Sequence, residues 1–346
     1  MLETLFHAWE RRLASVTTDR VVRSFDWGLD WIPESGRRKD RAPAAVIGEW
    51  VSHVMADTDA FFTPPPTTAY HLESPTPAGD QLLTFPSAFE TPHPDNNIVR
   101  CRIFPARGDR DPDSRAAVLV LPQWNADPGG HVGLCRLLTM NGLTAVRLSL
   151  PYHDQRMPPE LHRADYIVSA NVGRTLQVCR QAVLDARRAI GWLAANGYER
   201  IGILGSSLGS CLSLLTAAHE PLVRAQALNH VSPYFADVVW RGLSTRHLRL
   251  GLDGHIDLEM LRGFWKPISP ASYLERLHHL RTLLVYARYD LTFPVDLSEQ
   301  LIAQFRAAGI PHKVAMLRCG HYSTGKAPFK FIDGWILTRF LKRALA

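Results

Sequence analysis

From residue 81 onward, short apolar runs alternate with longer segments of helical periodicity. The run Ala116–Leu121 contains only apolar residues, which is typical of a strand buried on both faces of a parallel sheet. The segment 172–195 repeats apolar residues at helical spacing and is followed by Gly197, a residue type that often ends helices. This alternation predicts an α/β fold, in which a mainly parallel sheet is flanked by helices on both faces.

The first pair of strands is expected at 82–89 and 98–104. Prolines and the cluster Asp95-Asn96-Asn97 separate them, so an antiparallel edge hairpin is predicted. Further strands are predicted at 143–149, 200–204, 225–229, 282–287 and 312–317, and helices near 131–140, 295–307 and 328–345.

The N-terminal residues have a different character. A helix is predicted at 2–15, followed by an aromatic-rich stretch at 25–31 and by the prolines of 64–66, which lack amide donors and cannot continue a helix. We therefore expect an N-terminal extension, partly helical, at 1–80 and a main α/β domain at 81–346.

A second irregular region interrupts the alternation at about 232–270, where apolar and aromatic residues are mixed with arginines. It is too long for an ordinary connection between core elements. We interpret it as a lid insertion with its own helices, and an active-site loop is the alternative.

The composition places the chain among ordinary globular proteins, with 46% hydrophobic and 21% charged residues. Although the net charge is +6, acids are interspersed with the Lys and Arg residues along the whole chain. No run resembles a nucleic-acid-binding arm or a polybasic membrane anchor, so neither kind of partner is expected.

The cysteines and the N-terminus also exclude several classes of protein. No C-x-x-C pair occurs, so neither a zinc ribbon nor a disulfide framework is indicated, and the thiols are expected to be reduced and buried. The start of the chain lacks the features of a signal peptide, and no apolar stretch reaches the ~18 residues of a spanning helix. A cytoplasmic protein with no transmembrane segment is predicted. The cysteines are Cys101, Cys135, Cys179, Cys211 and Cys319.

The strand predicted at 200–204 leads into Gly205-Ser206-Ser207-Leu208-Gly209. Of the neighbouring serines, only Ser207 has glycine two positions before and two positions after it. A nucleophilic serine on a strained strand-to-helix turn requires small residues at those places, because other chains pass close by. The alternative is a phosphate-binding helix start, but the lysine of a P-loop is missing.

A serine nucleophile needs a base and an acid, which are expected later in the chain. Asp290 lies just after the strand predicted at 282–287, where ligand-binding residues of open α/β sheets gather, and Asp257 is the alternative acid. His321 follows the last predicted strand. We expect His321 to take the serine proton and Asp290 to orient its ring.

The transition state also needs amide donors for its oxyanion. We predict the backbone N–H of Leu208 for one position. For the other we predict the N–H of Trp124, with Gln123 as second choice, in the loop that follows the strand at 116–121.

Gln123 is also a candidate for a substrate pocket, and so are four further side chains that follow predicted strands. His153 and Arg156 form one group, in which Arg156 could meet an anionic part of a substrate, and structural capping is the alternative. Asn229 and His230 form the other, for which polar packing near the site is the default. No spacing of His, Asp and Glu supports a metal site.

With these motifs, the chain resembles serine esterases and lipases of the α/β-hydrolase superfamily over residues 81–346. The resemblance implies a mainly parallel sheet, a cap, a triad of Ser207, Asp290 and His321, and no required cofactor. Many relatives have His-Gly where this chain has Pro122-Gln123, and acetyl esterases with a His-Gly-Tyr-Asn loop are similar there. A bacterial group within the superfamily is also similar in the blocks 122–127, 148–153, 205–210, 286–293 and 319–322.

The motifs and this resemblance favour serine-dependent hydrolysis of carboxylic esters through an acyl-enzyme on Ser207, with small or medium acyl groups. A lipase or lysophospholipid-type acyl hydrolase is the alternative, because the predicted lid is apolar and contains arginines. Peptidase and acyltransferase activities use the same triad and stay open. A non-catalytic binding protein with the same fold is the hypothesis from another class. The sequence does not predict an oligomeric state.

Overall fold

One nine-stranded sheet lies at the centre of the protein, in a computed structural model that describes residues 2–33, 41–106 and 115–346. The strands are β1 (His71–Leu72), β2 (Gln81–Pro86), β3 (Ile98–Phe104), β4 (Ala116–Leu121), β5 (Thr144–Leu148), β6 (Arg200–Ser206), β7 (Val223–Asn229), β8 (Arg281–Ala287) and β9 (His312–Leu317). Their order in the sheet is β1-β2-β3-β5-β4-β6-β7-β8-β9.

Twelve α-helices accompany this sheet in the described ranges. They are α1 (Leu2–Ser15), α2 (Pro43–Ala56), α3 (Thr58–Phe62), α4 (Val132–Met140), α5 (Val172–Ala195), α6 (Leu208–His219), α7 (Phe235–Arg241), α8 (Arg246–Leu252), α9 (Leu258–Phe264), α10 (Val295–Ala307), α11 (His321–Thr324) and α12 (Phe329–Ala344).

The sheet is mixed but mainly parallel. The pairs β1–β2, β2–β3 and β3–β5 are antiparallel, and every pair from β5 to β9 in the sheet order is parallel. Every residue of β4 is buried, as its apolar sequence requires of a strand covered on both faces. The predicted α/β fold class is confirmed.

Two hydrophobic clusters cover the two faces of the sheet. One contains Leu176 and Ile190 of α5 with buried residues of α6 and α10. The other contains Leu138 of α4 and Leu337 of α12. Helices therefore lie on both faces, and the carboxyl ends of the parallel strands open at one edge, where ligand sites form in sheets of this kind.

The N-terminal residues pack on the core built around the sheet. Asp26 forms a parallel bridge with Asn171, and the amide of Val172 donates to Asp26 O over 3.0 Å. A Cβ on Gly173 would lie 2.2 Å from Gly28 O, so glycine is required for this approach. The predicted boundary at residue 80 stays a prediction, and residues 34–40 of that extension lie outside the described residues.

The region 232–270 contains three short helices, α7, α8 and α9, and its status as an insertion stays a prediction. Trp265 anchors it, because its side chain is fully buried, packs against Phe235 and donates from Nε1 to Val172 O over 3.2 Å. Its role as a lid stays a prediction. No helix among the described residues is both long and apolar enough to cross a membrane.

Candidate active site

The glycine-flanked serine lies on a sharp turn between β6 and α6. Ser207 has a φ of 56°, which is unusual for a residue with a side chain and marks backbone strain. A Cβ on Gly205 would lie 2.2 Å from Gly209 O, and one on Gly209 would lie 2.2 Å from Leu121 O. The two glycines are therefore required because the turn packs against its own helix and against the end of β4.

Hydrogen bonds distinguish the three serines of this turn. Ser206 Oγ lies 2.9 Å from His131 Nε2, and Ser210 Oγ donates to the carbonyls of Ser207 and His230 at 2.6 Å each. Ser207 lines the cleft, and its hydroxyl makes no hydrogen bond among the described residues. Of these three serines, Ser207 is thus the one whose hydroxyl has no partner within the described residues.

Asp290 lies just beyond β8 and accepts hydrogen bonds on both carboxylate oxygens. Its Oδ1 accepts from the amides of Thr292 and Phe293 at 2.7 Å each. Its Oδ2 accepts from Nδ1 of His321 and from Nδ1 of His230, at 2.9 Å each. One buried carboxylate therefore orients two imidazole rings.

The charges of these groups follow from burial and from one another. Burial alone would raise the pKa of Asp290, but His321 and His230 hold it well below its usual range. Burial also works to lower the pKa of His321, yet the Asp290 carboxylate outweighs it and the pKa is raised. Burial and the nearby His321 lower the pKa of His230. Of the two histidines on Asp290, His321 therefore binds a proton more readily than His230 does.

The same three side chains have metal-ligating spacing. The ligand atoms of His230, Asp290 and His321 lie within 4.8 Å of one another, and no other such group occurs among residues 2–33, 41–106 and 115–346. The sequence spacing did not indicate this cluster, because its members lie far apart in the chain. Both Nδ1 atoms lie at hydrogen-bond distance from Asp290 Oδ2, so hydrogen bonds within the protein account for the arrangement.

Three residues that line the cleft have backbone amides without an acceptor among the described residues. They are Gln123, Trp124 and Leu208. Leu208 begins α6, so its N–H also carries the positive end of the helix dipole. The arrangement offers the donors that an oxyanion requires, with both Gln123 and Trp124 available in the loop after β4.

His153 fixes this loop. Its Nε2 accepts from the amide of Asn125 at 3.0 Å, and its Nδ1 donates to Pro151 O at 2.9 Å. Burial lowers the pKa of His153 to about 4, so the ring is neutral and can accept. Asn125 has a φ of 58°, and its Oδ1 accepts from the amide of Ala164. His153 therefore positions the backbone beside Trp124.

Arg156 lies outside the cleft. Its side chain is fully buried, pairs with Asp185 at 2.8 Å and donates to the carbonyls of Asn96 and Ser149. Its donors are already engaged by the protein, which matches the structural alternative. Arg156 therefore does not line the site, whereas the other pocket candidates, Gln123, His153, Asn229 and His230, do.

The cleft that contains Ser207 and His321 has a volume of about 1670 Å³. Phe235, Val238 and Val239 of α7 form an apolar part of its lining. Asn229, the last residue of β7, has a buried hydrogen-bond partner: its Nδ2 donates to Asp333 Oδ2 over 2.8 Å. The cleft thus combines an apolar wall with the reactive serine.

Glu10 of α1 is a functional residue that sequence reasoning missed. It is fully buried, and its carboxylate accepts from the amides of Tyr322 and Ser323 at 2.8 and 2.9 Å. A Cβ on Gly320 would lie 2.3 Å from the Glu10 side chain. Glu10 therefore holds the short helix α11 that begins at His321. No local signal marks it, because its partners lie at the other end of the chain.

We expect Glu10→Ala to lower the free energy of unfolding by about 2–4 kcal/mol, since two buried amides lose a charged acceptor. Chemical denaturation measures this loss, and kcat of the variant should fall because α11 carries His321. Glu3→Ala, on the exposed part of the same helix, is the matched control and should change stability by less than about 0.5 kcal/mol. Equal losses in the two variants would contradict the assignment.

No protein-family model matches the chain, and no curated protein matches it. Several solved structures, in contrast, match the chain. An acetyl xylan esterase from Paenibacillus sp. R4 superposes with a TM-score of 0.62 at 14% identity, over 96% of this chain and 98% of that chain. Acetyl xylan esterase 1 from Thermoanaerobacterium sp. superposes with a TM-score of 0.62 at 12% identity, over 97% of this chain and 98% of that chain.

An acylaminoacyl peptidase from Pyrococcus horikoshii superposes with a TM-score of 0.59 at 13% identity. That match covers 80% of this chain, which spans only 42% of the length of the peptidase. At such identities the similarity concerns the fold. Together with the strand order and the sharp turn at Ser207, it shows that the chain has the α/β-hydrolase fold.

Proposed function

We propose that this protein is a serine hydrolase that cleaves carboxylic esters through an acyl-enzyme on Ser207. The observation that carries the proposal is the hydrogen bond of 2.9 Å between Asp290 and His321, in a cleft that also contains the strained serine. Free amides of the loop after β4 and of α6 line the same cleft. Nucleophile, base, orienting acid and oxyanion donors are the four parts that acyl transfer needs.

The two steps of the reaction use these groups in turn. His321 Nε2 takes the proton of Ser207 Oγ while Oγ forms a bond to the ester carbonyl carbon, and the carbonyl oxygen gains the negative charge. When the carbon–oxygen bond to the alcohol breaks, His321 returns the proton to that alcohol. Water then repeats the sequence on the acyl-enzyme and releases the acid. Asp290 stays ionised throughout and stabilises the imidazolium.

The apolar wall formed by Phe235, Val238 and Val239 supports small or medium acyl groups as substrates. A lipid acyl hydrolase is the second candidate. It is supported by Phe331 and Trp335 at the cleft, which are 65% and 56% exposed, beside the cations Lys330 and Arg339. Exposed aromatic residues with cations are typical of surfaces that contact lipid.

A series of p-nitrophenyl esters from acetate to palmitate tests both candidates, together with labelling by a fluorophosphonate. We expect labelling and turnover that peak at short or medium chains and are insensitive to a chelator, since no step uses a metal ion. A rate that rises only above the micellar threshold would favour the lipid substrate. Absence of both labelling and turnover would refute the proposal.

A further inference from the structure

Arg20 brings a cation from the N-terminal segment into the cleft. Its Nη2 donates to the hydroxyl of Tyr322 over 2.9 Å, and Tyr322 directly follows His321. The same hydroxyl lies 2.6 Å from Ser244 Oγ, which lies 2.8 Å from Thr292 Oγ1. All these residues line the cleft that contains the serine. A network of hydroxyl groups therefore holds the guanidinium beside the proposed base.

The charge of Arg20 is not balanced by the protein. Arg163, which also lines the cleft, pairs with Asp19 at 2.8 Å and lies 3.6 Å from Asp165. Arg20 forms no ion pair with a carboxylate in the part of the chain that the structure describes, and its Nε is buried without an acceptor. A partly desolvated cation without a counter-charge is costly, and a bound anion would offset that cost.

The charges of both arginines also act on a neighbouring histidine, His247. The ring of His247 stacks on Trp124 with 5.9 Å between centroids, and the Arg163 guanidinium lies 5.3 Å from the Trp124 ring. Burial lowers the pKa of His247 to about 4, and Arg163 and Arg20 both contribute to the shift. Both ring nitrogens of His247 are buried without a hydrogen-bond partner. A neutral ring supplies no counter-charge, so His247 does not balance the charge of Arg20.

We propose that Arg20 binds an anionic group of the substrate, a carboxylate or a phosphate, on this side of the cleft. The inference rests on the proposed function, because it names the substrate class of that site: an ester that also carries a negative charge. A carboxylate or phosphate offers several acceptor oxygens to the guanidinium donors that Tyr322 leaves unused. Arg20 would thus do what the sequence suggested for Arg156.

Matched pairs of esters test the subsite through the ratio of kcat/KM for the charged ester to kcat/KM for the neutral ester. One pair is 4-nitrophenyl hemisuccinate and its neutral methyl ester, with the charge on the acyl side. The other is 4-carboxyphenyl acetate and phenyl acetate, with the charge on the alcohol side. In one of the two pairs, Arg20→Gln should lower the kcat/KM ratio of charged to neutral ester by about 10- to 100-fold. Arg11→Gln, an exposed arginine of α1, should leave both ratios unchanged.

A binding measurement separates this inference from the proposed function. Calorimetry of both charged esters with Ser207→Ala requires no turnover, so it reports the subsite even if the hydrolase proposal is wrong. We expect binding that weakens by at least about 10-fold when Arg20→Gln is added and not when Arg11→Gln is added. Equal binding with and without Arg20, or ratios that Arg20→Gln leaves unchanged in both pairs, would overturn the subsite.

Discussion

Replacing Ser207 with alanine should abolish fluorophosphonate labelling and lower kcat for ester hydrolysis by a factor on the order of 10⁶. The loss is large because the covalent route disappears, although the proposed oxyanion donors, the amides of Gln123, Trp124 and Leu208, would remain. Active-site titration with the labelling reagent and steady-state kinetics on the best p-nitrophenyl ester measure the two effects.

Ser206→Ala is the control for this prediction. Ser206 is the adjacent serine, and its hydroxyl lies 2.9 Å from His131 Nε2, so it is already engaged. We expect the Ser206→Ala protein to keep most of its labelling and to lose less than about 10-fold in kcat, since one neutral hydrogen bond is removed. Labelling that survives in Ser207→Ala and disappears in Ser206→Ala would show that the wrong serine was chosen.

Much of the core could be predicted because burial on both faces of a sheet leaves a strong signal. The strand Ala116–Leu121 and the helix Val172–Ala195 have the predicted bounds, since a doubly covered strand must be apolar throughout and a core helix must repeat apolar residues. The turn at Ser207 was predictable for a steric reason, which the close approaches at Gly205 and Gly209 make explicit.

The helix Pro43–Ala56 was not predicted, although its buried residues Val46, Val51 and Val54 face the core. Its first residue is a proline, a type that suits the first turn of a helix but also occurs in loops. The sequence offered no means of deciding between the two. Propensity at a helix start is a weak signal when no regular alternation of elements surrounds it.

The missed parts of the site come from residues distant in sequence. Glu10 and Arg20 reach the His321 loop from the other end of the chain, and no spacing rule connects them to it. His230 was a pocket candidate, but its contact with Asp290 was not predicted. His230 follows β7, and its φ of 59° turns the chain so that its ring meets a carboxylate that follows β8. Such contacts depend on tertiary packing, which local patterns do not encode.

The second large effect is expected for Asp290→Asn, which should lower kcat by about 10⁴-fold at neutral pH. The neutral amide removes the charge that stabilises the imidazolium and no longer fixes which ring nitrogen of His321 carries the proton. His230→Asn is the control, because asparagine tolerates the positive φ at that position and the bond from His321 to Asp290 stays intact. We expect it to lose at most about 10-fold.

The pH dependence of kcat/KM gives this prediction a signature that a structural defect would not produce. His321 must be neutral to take the serine proton, so activity falls as pH drops through its pKa. Because Asp290 raises that pKa, the acid limb of the wild-type profile should lie above the ordinary value of about 6.5. In Asp290→Asn the limb should move to lower pH, whereas in His230→Asn it should stay above the ordinary value. An acid limb that Asp290→Asn leaves in place would mean that the Asp290 carboxylate does not set the charge of the base.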